Sequence, residues 1–87
     1  MNPELFIKKW NRIHSKSDSI RLDDFEENQY GYELSLYPLM IQITSGVIAS
    51  YWYEGARYNV LNPESLKKAT DKTMQQLREV SQILEEL

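Results

Sequence analysis

The period of the apolar positions changes twice along this chain. Phe6, Trp10 and Ile13 recur at helical spacing, with Lys8, Lys9, Arg12 and Lys16 mostly off that stripe. From Ile20 to Val60 the spacing falls to every second residue, as in half-buried strands. From Leu66 it lengthens again: Leu66, Thr70, Thr73, Leu77, Val80, Leu84 and Leu87 form a heptad-like seam. The pattern predicts one α+β domain over residues 1–87, ordered α-β-β-β-β(-β)-α. Its sheet is an antiparallel meander, with the N- and C-terminal helices mainly on one face.

The tripeptide Asn-Pro-Glu occurs at Asn2-Pro3-Glu4 and again at Asn62-Pro63-Glu64, each time before a helical pattern. Asparagine is a good N-cap, proline is best tolerated at the first helical position, and glutamate complements the helix dipole there. The first helix is expected from Pro3 to about Ser15, before the polar break at Ser15 to Asp18. A short first strand is expected at Ile20 and Leu22, then a loop from Asp24 to Gln29. A second strand follows from Tyr30 to Leu36, a third from Leu39 to Thr44, and a fourth from Val47 to Tyr53. Ser45-Gly46 is a two-residue hairpin signal. Glu54-Gly55-Ala56 reads as a turn before a short fifth strand from Arg57 to Leu61. The last helix could reach about 25 residues, roughly 37 Å, longer than a typical strand. The stripe is expected to pack on the sheet, and the excess length raises the alternative that Val80 to Leu87 extends past it and pairs with another chain.

Register follows from the loops. With Ser45-Gly46 as a two-residue loop, Ile43 should face Ile48, Ile41 should face Ser50 and Leu39 should face Trp52. With Tyr37-Pro38 as a second such loop, Leu36 faces Leu39, Leu34 faces Ile41 and Tyr32 faces Ile43. Proline at that position calls for a cis peptide bond. The core face is then built from Leu39, Ile41, Ile43, Ile48 and Trp52. The opposite face carries Met40, Gln42, Val47, Ala49, Tyr51 and Tyr53. Tyr58 and Val60 join that face if the last loop has two residues, and turn to the core if it has three.

The 87 residues suit one modest core, and an apolar content of 41% is ordinary for a folded domain. Absence of cysteine excludes a disulfide framework or a cysteine-based metal or redox site and fits a cytoplasmic location. No signal peptide is expected, since the N-terminus lacks a continuous apolar run, and no stretch approaches the length of a membrane span. The net charge of −3 is unevenly spread. Residues 1–22 carry five bases against two acids, whereas residues 23–36 carry five acids and no base. The overall sign makes nucleic acid an unfavoured partner.

Candidate chemistry is sparse. His14 is the one histidine and reads as a packing or helix C-terminal residue. Asp23, Asp24, Glu26 and Glu27 lack the spacing and turn glycine of a cation site and lack the cleft of an acid–base pair. They read as a solvated loop that could flank a docking surface. Gly31, Gly46 and Gly55 stand apart and make no phosphate loop, and no serine lies in a nucleophile elbow. No cofactor, metal or catalytic activity is expected.

The order helix, antiparallel strands, helix is similar to the double-stranded-RNA-binding fold, with Lys67-Lys68-Ala69 near the start of the last helix echoing its basic helix terminus. The extra strands, the acidic balance and the long last helix depart from that pattern, and the family is not assigned. The composition also resembles accessory proteins of bacteria and their phages. The expectation is a small non-enzymatic protein-binding module, of inhibitor, antitoxin-like or adaptor type. Met40, Tyr51, Tyr53 and Tyr58 would dock it, aided by Asp23, Asp24, Glu26 and Glu27. The alternative is nucleic-acid binding through Lys8, Lys9, Arg12, Lys16, Lys67 and Lys68. Homodimerisation through the outer sheet face or the last helix is the other partnership the pattern allows.

Overall fold

In the computed structural model the order is α1 (Pro3–Ile13), β1 (Phe25–Asn28), β2 (Gly31–Leu36), β3 (Leu39–Thr44), β4 (Val47–Tyr53), β5 (Ala56–Tyr58) and α2 (Asp71–Glu86). The structure describes residues 1–59 and 71–87. Val60, Leu61, the second Asn-Pro-Glu, Leu66, Lys67, Lys68, Ala69 and Thr70 lie outside the described residues. The five strands form one antiparallel sheet in chain order. The fold is the α+β meander flanked by helices that the periodicity predicts.

The first helix starts as its sequence dictates. Asn2 Oδ1 accepts from the Glu4 and Leu5 amides at 3.0 and 3.3 Å, and Pro3 opens the first turn. Phe6 and Trp10 are fully buried. The helix ends two residues earlier than expected, and Ile13 points out at 62% exposure. The apolar stripe therefore has two buried members and not three, with Ile7 packed at its side. In α2 the seam residues Thr73, Leu77, Val80 and Leu84 are buried, joined by Ile83. Lys9 Nζ lies 3.6 Å from Glu86 and His14 Nε2 lies 2.6 Å from Glu79, which fixes α1 and α2 as antiparallel neighbours. Val80, Ile83 and Leu84 thus pack within the chain, and the excess length read from the sequence does not leave them free for a second helix.

The expected first strand at Ile20 and Leu22 is not a strand. The Asn11 amide pairs with both backbone groups of Ile20, accepting from its N–H at 2.8 Å and donating to its carbonyl at 2.9 Å. Ile20 is held against α1 by this peptide-like side chain, so its backbone needs no sheet neighbour. Asp24 Oδ2 then accepts from the Arg21 amide at 2.8 Å and closes a short turn over Leu22–Asp24. The segment expected as a loop contains the edge strand β1, Phe25–Asn28. Its charges are those of a protected sheet edge, which discourages pairing with other chains.

The hairpin of β2 and β3 has the register expected: Tyr32 pairs Ile43, Leu34 pairs Ile41 and Leu36 pairs Leu39. The Tyr37-Pro38 peptide is cis. Gly31 adopts φ +135, and a Cβ there would fall 2.3 Å from the Ile43 carbonyl oxygen. The β3–β4 hairpin departs from expectation. Thr44 pairs Val47 and Ile43 pairs Ile48, but the register then shifts. Gln42 pairs Ser50, Ile41 pairs Tyr51 and Met40 pairs Trp52, so Ala49 is the extra residue of a β-bulge. Side chains beyond the bulge exchange faces relative to the expected pattern. Tyr51 and Tyr53 are in the core, at 1% and 7% exposure, and Trp52 lies on the opposite face. The last loop is the two-residue turn Glu54-Gly55, because Tyr53 pairs Ala56. Tyr58 accordingly joins Tyr51 and Tyr53, but on the core side, stacked on Tyr51 with ring centroids 5.1 Å apart.

Candidate functional site

Pairing fixes what the face away from the core displays. One row across the sheet is Ser35, Met40, Trp52 and Arg57, on β2 to β5. The next is Glu26, Glu33, Gln42 and Ser50, on β1 to β4. Beyond these lie Asn28, Thr44 and Val47. Met40 and Val47 are exposed at 39% and 61%, and Tyr37, in the loop at the end of the first row, at 93%. The Arg57 guanidinium lies 5.3 Å from the centre of the Trp52 ring, in cation–π range. Tyr37, Pro38, Met40 and Trp52 line a groove of about 420 Å³ at this end of the sheet.

The middle of the face is ordered by polar contacts. Asn28 Nδ2 donates to Gln42 Oε1 at 2.8 Å, and Gln42 Nε2 donates to the Ile43 carbonyl at 3.1 Å. Ser50 is 1% exposed, and its hydroxyl has no hydrogen-bond partner among the described residues. Glu26 and Glu33 are direct cross-strand partners with no cation beside them among the described residues. Like charges placed so are unfavourable within one sheet.

The expected docking residues are thus only partly brought together. Met40 is on the outer face as expected. Tyr51 and Tyr53 are removed from it by the Ala49 bulge, and Tyr58 is half-buried on the core side with them. Glu26 is exposed on the outer face, whereas Glu27, its neighbour in an alternating strand, pairs Tyr32 on the other. Asp23 is exposed in the short turn before β1, and Asp24 is held by the Arg21 amide. Sequence reasoning missed Trp52, Arg57, Tyr37 and Glu33. Tyr37 had a signal in its position before proline at a loop. Trp52 had none, because β4 is apolar in both phases.

A second concavity, of about 450 Å³, lies between the end of α1, the end of β2 and α2. His14 stacks on Trp10 there, with ring centroids 4.0 Å apart, and Trp10 Nε1 donates to the Asp18 carbonyl at 2.9 Å. Glu79 is held from both sides, by His14 Nε2 at 2.6 Å and by Gln75 Nε2 at 2.9 Å. These contacts tie α1 to α2. Among the described residues no hydroxyl is hydrogen-bonded to His14.

Among the described residues no three His, Cys, Asp or Glu side chains gather as a metal site, and no described helix is long and apolar enough to cross a membrane. Lys8, Arg12 and Lys16 are exposed, while Lys9 is beside Glu86. Comparison with known protein families, curated proteins and solved structures gives no match.

Proposed function

We propose that this protein is a small non-enzymatic binding module, of inhibitor, antitoxin-like or adaptor type, that docks its outer sheet face onto a protein partner. The observation that carries the reading is the placement of Met40, Trp52 and Arg57 in one cross-strand row with Tyr37 at its end. Tryptophan, tyrosine and arginine are the residue types that dominate interface energies, and a methionine adapts to irregular partners. Met40 is exposed beside the half-buried Trp52, and contiguous apolar area on a sheet face is of the sort that marks a contact surface. The polar net of Asn28 and Gln42 beside them holds the strands in place.

The test is affinity capture from a bacterial lysate with the wild type and a Met40→Ser, Trp52→Ser variant, both shown to be folded by circular dichroism. A protein retained by the wild type and lost by the variant supports the reading and identifies the partner. Equal retention by both overturns the assignment to this face. Retention abolished by raising salt and by nuclease treatment, and unaffected by the variant, would point to nucleic acid on the Lys8, Arg12 and Lys16 side.

A further inference from the structure

Charge on the outer face is divided across the sheet. Glu26 and Glu33 lie opposite each other on β1 and β2, with no cation beside them among the described residues, whereas Arg57 lies exposed on β5, beside the Trp52 ring. The middle strand, β3, carries the uncharged Met40 and Gln42. Such a face has one negative flank, one positive flank and an uncharged seam midway between them, in which Met40 is exposed and Gln42 is buried.

The geometry points to a second copy of this chain as the occupant of that face, related by a two-fold axis running along β3. This rests on the outer face being the docking surface and specifies what it docks. A rotation about an axis parallel to β3 lays the β1–β2 half of one copy over the β4–β5 half of the other. Glu26 and Glu33 of each copy then approach Arg57 of its partner, offset by one row of the sheet, about 7 Å, which an arginine side chain can span. Met40 meets Met40 at the centre, with Trp52 packed beside it. A two-fold axis across the strands would instead place Glu26 over Glu26 and Glu33 over Glu33, so the charges select one arrangement and reject the other. The like-charge pair, unfavourable in a single copy, becomes a pair of acceptors facing a cation in two.

Size sets the expected strength. The strands, of 4, 6, 6, 7 and 3 residues at about 3.3 Å per residue and about 4.8 Å apart, give close to about 400 Å² per copy, or about 800 Å² in all, the size of a weak, transient contact. A weak dimer is expected, weakened further by salt.

Sedimentation equilibrium at low salt, from about 1 to 500 µM, tests this with three proteins. They are the wild type, Arg57→Glu and the double variant Glu26→Arg, Glu33→Arg. The wild type is expected to dimerise. Among the described residues of the outer-face rows each variant carries one sign, and each is expected to dimerise at least tenfold more weakly. A one-to-one mixture of the two variants is expected to form a heterodimer, which no effect on folding alone would produce. A wild type that stays monomeric to the highest concentration overturns the inference, as does a dimer that neither charge reversal weakens. If the monomer still captures a protein through Met40 and Trp52, the docking reading stands and only self-pairing falls. If capture does not depend on those residues either, both fall.

Discussion

Strand β3 pairs with β2 on one side and with β4 on the other, and each hairpin closes through a two-residue loop. With β2 the pairing runs uninterrupted from Leu36–Leu39 to Tyr32–Ile43. With β4 it slips by one residue at Ala49. The difference lies in what each partner strand carries on its two faces. In β2 only one phase is apolar: Tyr32, Leu34 and Leu36 alternate with Glu33 and Ser35, so a single register buries the right side chains. In β4 both phases are apolar, with Ile48 and Trp52 on one and Val47, Ala49, Tyr51 and Tyr53 on the other. The strand is therefore free to change phase. The bulge keeps Ile48 opposite Ile43 and also brings Tyr51 in against Ile41 and Tyr58.

The largest test of this comparison exchanges the two neighbouring aromatics of β4. Tyr51 is fully buried, and Tyr51→Ser is expected to cost about 3–5 kcal/mol, the range for deleting a core aromatic. Trp52→Ser, on the outer face, is expected to cost no more than about 1 kcal/mol. Urea denaturation of both variants decides the matter. The reverse order of stabilities would mean that β4 runs without its bulge.

Next in size is Gly31, on the regular hairpin. A methyl at this position would press on the Ile43 carbonyl at 2.3 Å, in a backbone conformation that other residues rarely adopt. Gly31→Ala is expected to cost about 3 kcal/mol and to lower Tm by more than about 10 °C. Gly46, in the loop of the bulged hairpin, has φ +76 and open space around it, so Gly46→Ala is expected to cost only about 1 kcal/mol. Thermal melts that place the two variants together would show that the strand contact at Gly31 is looser than the geometry states.

What was legible in the chain divides along the same line. Asn2 capping, the Tyr37-Pro38 bond, the Ser45-Gly46 loop and the β2–β3 register each rest on a local signal that only one conformation satisfies. The edge strand Phe25–Asn28 was read as a loop because a charged edge and a solvated loop have the same composition. Ile20 was read as a strand because its tie to Asn11 is a side-chain contact nine residues away, which no periodicity reports. Met40 lies on the outer face, where its phase in β3 puts it. The aromatic content of that face was misassigned because a single bulge exchanges Trp52 for Tyr51 and Tyr53. A site on a sheet thus inherits its uncertainty from the least patterned strand that crosses it.

A deletion at the bulge sharpens the comparison most. In the present register Ile48 and Tyr51 both face the core although they are three positions apart in the chain, and Ala49 is the residue that makes this possible. Deleting Ala49 places them two apart, which is the natural spacing of same-face neighbours. Ile43–Ile48, Gln42–Ser50, Ile41–Tyr51 and Met40–Trp52 can then all form in one uninterrupted ladder. The deletion is accordingly expected to be tolerated, at a cost of about 1–2 kcal/mol or less. Deleting Gln42 from β3 turns the rest of that strand to the wrong side of the sheet and is expected to prevent folding. Amide exchange and the Ile41–Tyr51 cross-strand nuclear Overhauser effect would show the ladder intact in the first variant and lost in the second. If deleting Ala49 unfolds the chain as completely as deleting Gln42, the bulge is itself required, for instance to curve β4 around the Tyr51–Tyr58 stack. The hairpin would then be specified by its irregularity, and not merely tolerant of it.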